Sequence, residues 1–323
     1  MIKVGLIGCG FMGNMHANCY KNIEGVKVTA VADVRREKAE ELNLGAEIYL
    51  DGKDLINNAD VDVIDICLPT YLHAEYAMLA MEKVKYLFVE KPVALTNKEA
   101  MQMIEKSEKT GCNVQVGQVI RFWDEYVELK KIIESGVYGK VVNANFRRIS
   151  PRPTWGFNNW LLDTKLSGGA GQDLHIHDTD YVLSVFGEPT NFYTIKNKTG
   201  EQNSYVNTIM NYKDFVVSVE GTWDLPSTHP FEATFRVTLE KATIENAGGK
   251  FICYTENGAK EIIIEKKDLL GGYKGGNISD LGGYYNELLY FTNKAKNKEK
   301  IEKATLKDGA CSLQFVLGEI ENA

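Results

Sequence analysis

Short apolar runs at residues 2–7, 26–32, 61–67, 85–90 and 113–118 alternate with mixed polar and apolar stretches near 13–21, 36–43, 73–83 and 97–110. Runs of that length fit strands, and the stretches between them fit helices. Alternation on this scale predicts an α/β domain built on a parallel, doubly wound sheet with helices on both faces. The run at 61–67 suits a strand buried on both sides, yet it carries Asp62 and Asp65, for which the pattern offers no reason. Beyond Arg121 the pattern changes. A helix is expected near 124–135, ended by Gly136, then a strand over 141–146 and a polar loop over 151–166. Another helix is expected over 170–186, closed by Gly187. Several strand-like runs follow between 191 and 265. Residues 231–240 alternate strictly, so one face should be covered and the other polar, and Phe215, Val217, Val219 and Trp223 mark a second such strand. A glycine-rich stretch at 271–276 precedes a last pair of helices. The expected division is a doubly wound domain over 1–120 and an α+β domain with a mainly antiparallel sheet over 121–323.

The junction between the first strand and the first helix reads Gly8-Cys9-Gly10-Phe11-Met12-Gly13, and Asp33 closes the second strand twenty residues after Gly13. That is the Rossmann dinucleotide fingerprint in its proper setting of strand, turn, helix, strand and acid. Gly8 permits the tight turn, Gly10 lets the backbone approach a pyrophosphate, and Gly13 lets the helix pack close to the strand. Phe11 and Met12 open the helix, whose free N–H groups and dipole favour phosphate. A carboxylate at position 33 accepts from both ribose hydroxyls of NAD and repels the 2′-phosphate of NADP, which predicts NAD. Arg35 and Arg36 are the counter-argument, because an arginine can hold that phosphate.

Composition narrows the partners. The 323 residues are 44% hydrophobic and 25% charged, with a net charge of −7, a profile that argues against nucleic-acid binding and against attraction to an anionic membrane. No apolar run is long enough to span a bilayer, and the N-terminus reads as a strand rather than a signal peptide. The cysteines at 9, 19, 67, 112, 253 and 311 show no metal-ligand spacing. Free thiols in the cytoplasm, and no metal, are the expectation.

Two places hold groups that could move a proton beside a nicotinamide. The first is Glu90-Lys91-Pro92, directly after the strand at 85–89, at the strand end where doubly wound sheets bind ligands. Taken alone, a lysine there is ordinarily a solvated surface residue. The second is 173–180, where Asp173, His177 and Asp180 fall on one face at i, i+4 and i+7. Such a His–Asp set can shuttle a proton near neutral pH, and a polar stripe facing water is the plainer alternative.

These residues carry a resemblance. The chain resembles the glucose–fructose oxidoreductase and inositol dehydrogenase family (Gfo/Idh/MocA) in four signatures that cover nearly its whole length. They are the Gly8–Gly13 turn followed by His16, the run Pro69-Thr70-Tyr71-Leu72-His73, the triplet Glu90-Lys91-Pro92, and Ser167-Gly168-Gly169 running into Asp173 and His177. The resemblance implies a Rossmann domain, an α+β domain with an open-faced sheet, NAD or NADP, and a polyol or sugar substrate. It also implies Lys91, Asp173 and His177 as the catalytic group, and a Lys91–Pro92 bond that is often cis. By the same resemblance Leu68, Pro69, Thr70, His73, Glu90 and Lys91 join Gly8, Gly10, Phe11, Met12, Gly13, Asp33 and Arg35 around the cofactor. Arg121 matches a domain-crossing segment. Trp155 and Trp160 offer aromatic faces for sugar C–H surfaces, or anchors for their loop. His175 stands where many members have glycine, and Leu68 where threonine is usual.

The expected activity is hydride transfer between the nicotinamide and a secondary hydroxyl. Lys91 and the 173–177 pair could meet only between the two domains. Three alternatives stay open: an NAD-dependent glycosidase with transient oxidation, a non-catalytic nucleotide-binding regulator, and a reductase working toward the alcohol. A homodimer or homotetramer is expected, because a sheet face without helical cover needs a partner, with Phe215, Val217 and Val219 as candidate apolar positions on it.

Overall fold

The structure is a computed structural model that describes residues 1–199, 202–264 and 282–323. The glycine-rich stretch at 271–276 lies outside the described residues. Two compact units result: one takes 1–119 and, among the described residues, 282–313, and the other takes 120–264 and 314–323.

In the first unit strands and helices alternate: β1 (Ile2–Ile7), α1 (Phe11–Lys21), β2 (Val26–Ala32), α2 (Arg36–Glu41), β3 (Glu47–Tyr49), α3 (Gly52–Asn58), β4 (Val63–Ile66), α4 (Thr70–Ala80), β5 (Tyr86–Val89), α5 (Asn97–Thr110) and β6 (Asn113–Val116). All six strands run parallel in the order β3-β2-β1-β4-β5-β6. This is the doubly wound dinucleotide-binding order, with the strand order reversing at β1 and β4. Every residue of β4 and β5 is buried, as expected of central strands covered on both faces. The start of α5 carries a full capping box between Thr96 and Glu99, and left-handed Gly111 ends it. The pattern of apolar runs did not reveal β3 or α3. A three-residue edge strand is too short to show a period, and the start of α3 is signalled only by Asp51, whose carboxylate accepts from the Lys53 N–H at 2.8 Å.

The second unit contains α6 (Asp124–Ser135), β7 (Val141–Pro151), α7 (Thr164–Ser167) and α8 (Ile176–Phe186). Its sheet continues through β8 (Asn191–Thr199), β9 (Gln202–Asn211), β10 (Val216–Leu225), β11 (Glu232–Leu239), β12 (Thr243–Ala247), β13 (Lys250–Thr255) and β14 (Gly258–Glu261). The strand order is β14-β13-β12-β11-β7-β10-β9-β8. Only the β7–β10 pairing is parallel among these. One sheet face is packed. Phe146, Val217, Val219, Phe235 and Val237 are all buried on it, and Tyr126 and Tyr181 stack edge-on among them. The placement of Val217 and Val219 corrects the expectation that they belong to an uncovered face. They alternate inward, whereas Ser218 and Glu220 alternate outward. Phe215 precedes β10 and stacks on Tyr212.

The last helices, α9 (Gly282–Asn297) and α10 (Leu306–Glu321), were expected in the second domain. Instead α9, and α10 as far as Leu313, group with the first unit. The cause is side-chain packing. Phe291 meets Phe88 edge-on at 5.5 Å, Tyr284 lies 6.2 Å from the His16 ring, and Leu288 is fully buried. An amphipathic stretch does not announce which sheet it will cover, so its period could not place it.

Candidate functional site

The turn after β1 is shaped by contacts that tolerate no side chain. Gly8 has φ +94°, and a Cβ there would stand 2.4 Å from the Cys67 carbonyl oxygen. A Cβ on Gly13 would lie 1.8 Å from the Gly8 oxygen. Gly10 differs: a Cβ there would meet nothing within 4 Å. The backbone beside Gly10 therefore faces open space at the start of α1, where no side chain caps the helix. Phe11 and Met12, the first two helical residues, are half-buried. This cradle fits a pyrophosphate on two counts: the room beside Gly10 and the dipole of α1.

Asp33 ends β2 beside the turn. Its Oδ2 accepts from the Cys9 N–H at 2.9 Å, so the carboxylate is tied to the glycine turn itself. Its Oδ1 accepts from the Arg35 N–H at 2.9 Å, and the Arg35 guanidinium folds back on both oxygens at 3.1 and 3.2 Å. Arg35 is thus held by the acid that it was expected to compete with, and Arg36 is an exposed partner of Glu40.

At the end of β4 come Leu68 and Pro69, both half-buried, and then buried Thr70, the first residue of α4. At the end of β5 come Glu90 and Lys91, and the Lys91–Pro92 peptide is cis. Lys91 is half-buried. His73 and Glu90, both expected near the cofactor, have protein partners. His73 is 1% exposed, with Nε2 2.7 Å from the Leu68 oxygen and Nδ1 2.7 Å from the Pro92 oxygen. Burial pulls its pKa below the ordinary histidine value. Glu90 is 5% exposed, and its Oε2 accepts from the Lys91 N–H at 3.1 Å. Its Oε1 lies 3.0 Å from His16 Nε2, an ion pair without an aligned hydrogen bond.

His16 packs inside the first unit, as its place on α1 suggested, but as the centre of a buried polar cluster. Its Nδ1 is 2.8 Å from Asp65 Oδ2 and 3.2 Å from Cys67 Sγ, and the Tyr20 hydroxyl donates to the same Asp65 oxygen at 2.8 Å. The spacings within the cluster are those of direct hydrogen bonds. Burial opposes the imidazolium, but the Asp65 charge and the Cys67 contact outweigh it, and the His16 pKa rises well above its ordinary value. Asp65 thereby acquires the role that its strand pattern lacked. Asp62 caps the Lys3 N–H at 2.7 Å.

Glu287 on α9 is fully buried near this cluster, and neither of its side-chain oxygens has a hydrogen-bond partner among the described residues. Burial, reinforced by the Glu90 charge, pushes its carboxyl well above the usual range. The native state therefore holds a proton that the unfolded chain releases above about pH 4.5. That contribution to stability is complete below the unfolded value and is lost as pH rises toward the folded one. Glu287→Gln should raise the thermal midpoint at pH 8 by roughly 2–6 °C and change it little at pH 5. Melting curves at the two pH values check this, and an equal or larger gain at pH 5 would contradict it.

In the second unit, Ser167-Gly168-Gly169 turns the chain through two left-handed glycines, with φ of +76° and +74°. The Ser167 hydroxyl accepts from the Gly169 N–H at 3.0 Å and donates to the Leu161 oxygen at 2.8 Å. A π-helical turn, Gly171–His175, then leads into α8. π-Turns are rare and concentrate at functional sites. Asp173 lies on this turn and His177 on the first turn of α8, and both are half-buried. Asp180 departs from the expected stripe. It is fully buried and takes the Arg121 guanidinium at 2.7 and 2.8 Å. The wider π-turn carries Asp173 and ends at His175, which shifts the helical phase that i+7 spacing assumed. The Arg121 side chain is largely buried beside Asp180. His175 is buried over Gly221, with Nε2 3.3 Å from Glu319 of α10. The neighbouring Arg148–Asp178 pair, at 2.7 Å and fully buried, gave no sequence signal, because charged residues on a strand and a helix ordinarily face water. Trp155 is 59% exposed, and Trp160 is half-buried. Lys91 belongs to the first unit, and Asp173 and His177 belong to the second.

A doubly wound sheet with this glycine turn and acid defines a Rossmann-type dinucleotide-binding class. Residues 2–118 match the model of the oxidoreductase family with an NAD-binding Rossmann fold, and 126–245 match the GFO/IDH/MocA C-terminal domain. The chain belongs to the Gfo/Idh/MocA oxidoreductase family. Myo-inositol 2-dehydrogenase of Thermotoga maritima is 32% identical over 192 residues, 58% of this chain and 55% of that protein. The similarity thus spans little more than half of that relative's length. Inositol 2-dehydrogenase of Pseudomonas syringae pv. syringae is 28% identical over 304 residues, 86% of this chain and 88% of that one. Levoglucosan dehydrogenase, solved with NADH and levoglucosan, shares the fold at a TM-score of 0.85 and 20% identity, covering 100% of this chain and 97% of that chain.

Proposed function

We propose that this protein is an NAD-dependent dehydrogenase that oxidises a secondary hydroxyl of a cyclic polyol or sugar. The observation that carries the reading is the joint presence of Lys91 at the end of β5 and of Asp173 and His177 around the π-turn, in a chain of this family. Bound NAD supplies the hydride acceptor. His177 accepts the hydroxyl proton, and Asp173 orients that imidazole or bonds the adjacent hydroxyl. Lys91 holds the reacting oxygen and stabilises its developing negative charge. Exposed Trp155, with Trp160, offers apolar ring faces to the C–H side of the substrate.

The test is a panel of inositols, sugars and glycosides with NAD or NADP, followed by absorbance of the reduced nicotinamide and product analysis. Reduced cofactor in step with a ketone product supports the reading. Glycoside cleavage without net reduction would replace it with transient oxidation. Asp33, fixed to the turn by the Cys9 N–H, favours NAD, and Arg35 is neutralised by it. A higher kcat/KM with NAD is therefore expected, and Asp33→Ser should narrow the difference. A preference for NADP in the parent protein would contradict this.

We also infer a homodimer or homotetramer, working in the cytoplasm. Among the described residues no disulfide links the cysteines. Among the described residues no helix is long and apolar enough to cross a membrane. The outward side of the large sheet supports self-association: Tyr193 is 65% and Ile195 55% exposed on β8, and Ile195 shares a cross-strand row with Asn207, Glu220 and Arg147. Sedimentation at assay concentration checks this, and a 36.2 kDa monomer would contradict it.

A further inference from the structure

Lys91 sits in a segment that is held on both sides. Before it, the Glu90 carboxylate accepts the Lys91 N–H, and the same carboxylate is paired with His16, itself fixed by Asp65. After it, the Pro92 oxygen lies 2.7 Å from His73 Nδ1. The other nitrogen of that ring faces the Leu68 oxygen at the same distance. One imidazole on α4 therefore stands between the turns that leave two neighbouring strands, β4 and β5, and as a neutral ring it donates to one of the two carbonyls at a time. Both turns lie at the carboxyl ends of the sheet, where ligands of this fold bind.

An imidazole with 1% exposure is a costly way to fill space that a phenyl ring would fill without desolvating two nitrogens. The pair His16–Glu90 is costlier still, because two ionisable groups are held out of water. Neither arrangement is needed to close the core, since β4 and β5 are already apolar on both faces apart from Asp65. What both arrangements do share is the backbone they grip.

We propose that His73 and the His16–Glu90 pair are positioning residues that clamp the backbone of 90–92 and so set where the Lys91 ammonium stands. This rests on the reading of Lys91 as the group that acts on the reacting hydroxyl. A displacement of about 1 Å in such a group costs on the order of 100-fold in rate, which is large enough for a clamp to matter.

The test uses the full chain with NAD and myo-inositol, or the panel polyol with the highest turnover. His73→Phe keeps the ring volume and removes both nitrogens, and His73→Gln restores one donor group. His16 lies so deep that its replacement could prevent folding, so Glu90→Gln, which keeps an acceptor for the Lys91 N–H and drops the charge facing His16, probes the other side. Lys91→Ala is the reference. Expected for His73→Phe is a fall in kcat of about 10–100-fold, with Kd for NAD within about threefold of the parent. His73→Gln should recover part of the loss, and Glu90→Gln should lie between it and the parent. A second readout does not need turnover: NAD should shield Lys91 from an amine reagent in the parent, measured by peptide mass spectrometry, and shield it less in His73→Phe. Parent-like kcat in His73→Phe beside an inactive Lys91→Ala would overturn the clamp, as would a loss of kcat matched by equal loss of NAD binding. Near-normal activity in Lys91→Ala would instead end the catalytic reading, and the clamp would then stand or fall on the shielding of Lys91 alone.

Discussion

Lys91→Ala should lower kcat/KM by about 10³-fold or more while Kd for NAD changes by less than about threefold. The expectation follows from role and place. Lys91 leaves the end of β5 with its backbone held by protein, so truncating the side chain removes an ammonium without removing a structural contact of the glycine turn. His177→Ala should cost about 10²–10⁴-fold in kcat/KM, the loss of a general base. Asp173→Asn should be mild if the carboxylate only orients His177 and severe if it also binds substrate. Steady-state kinetics with NAD titrations by nucleotide fluorescence check all three. Near-normal turnover in Lys91→Ala or His177→Ala would remove them from the mechanism.

Gly10→Ala and Gly13→Ala should fail in opposite ways. At Gly13 the new methyl would meet the Gly8 carbonyl oxygen at 1.8 Å, a backbone atom that cannot move aside without opening the junction between β1 and α1. Loss of several kcal/mol of stability, or no folded protein, is expected, as for overpacked buried sites of this kind. At Gly10 the methyl meets nothing within 4 Å, so the protein should fold with a thermal midpoint close to the parent. The same methyl projects where a pyrophosphate would lie, and Kd for NAD should rise by about 10–100-fold, the loss of one or two close backbone hydrogen bonds. Melting curves and cofactor titrations of the two variants separate the effects. Unchanged NAD affinity in Gly10→Ala would show that the cofactor does not approach the turn there.

The order of apolar runs and the glycine turn were enough to derive a parallel, doubly wound first unit, because a strand period and a three-glycine spacing are local properties of the chain. Asp33 was legible for the same reason: it stands at a fixed distance from the turn along one strand. The alternation of residues 231–240 foretold a strand with one buried face, but the inward direction of Val217 and Val219 required the register with β7 and β9. Helix spacing grouped Asp173, His177 and Asp180, and a π-turn that no spacing rule reveals sent Asp180 inward to Arg121. His73 and Glu90 were legible as residues near the cofactor end of the sheet. Their actual partners, two carbonyls and a histidine on another helix, lie 5 to 74 residues away in sequence. Glu287 shows the same limit from the other side. Within α9 it reads as an ordinary polar position, and only the packing of that helix with the first unit buries it. Sequence by itself determined the elements whose signals are periodic or contiguous. Tertiary structure alone decided which charges are buried and what they hold, because desolvation and pairing depend on atoms that meet only after the chain has closed on itself.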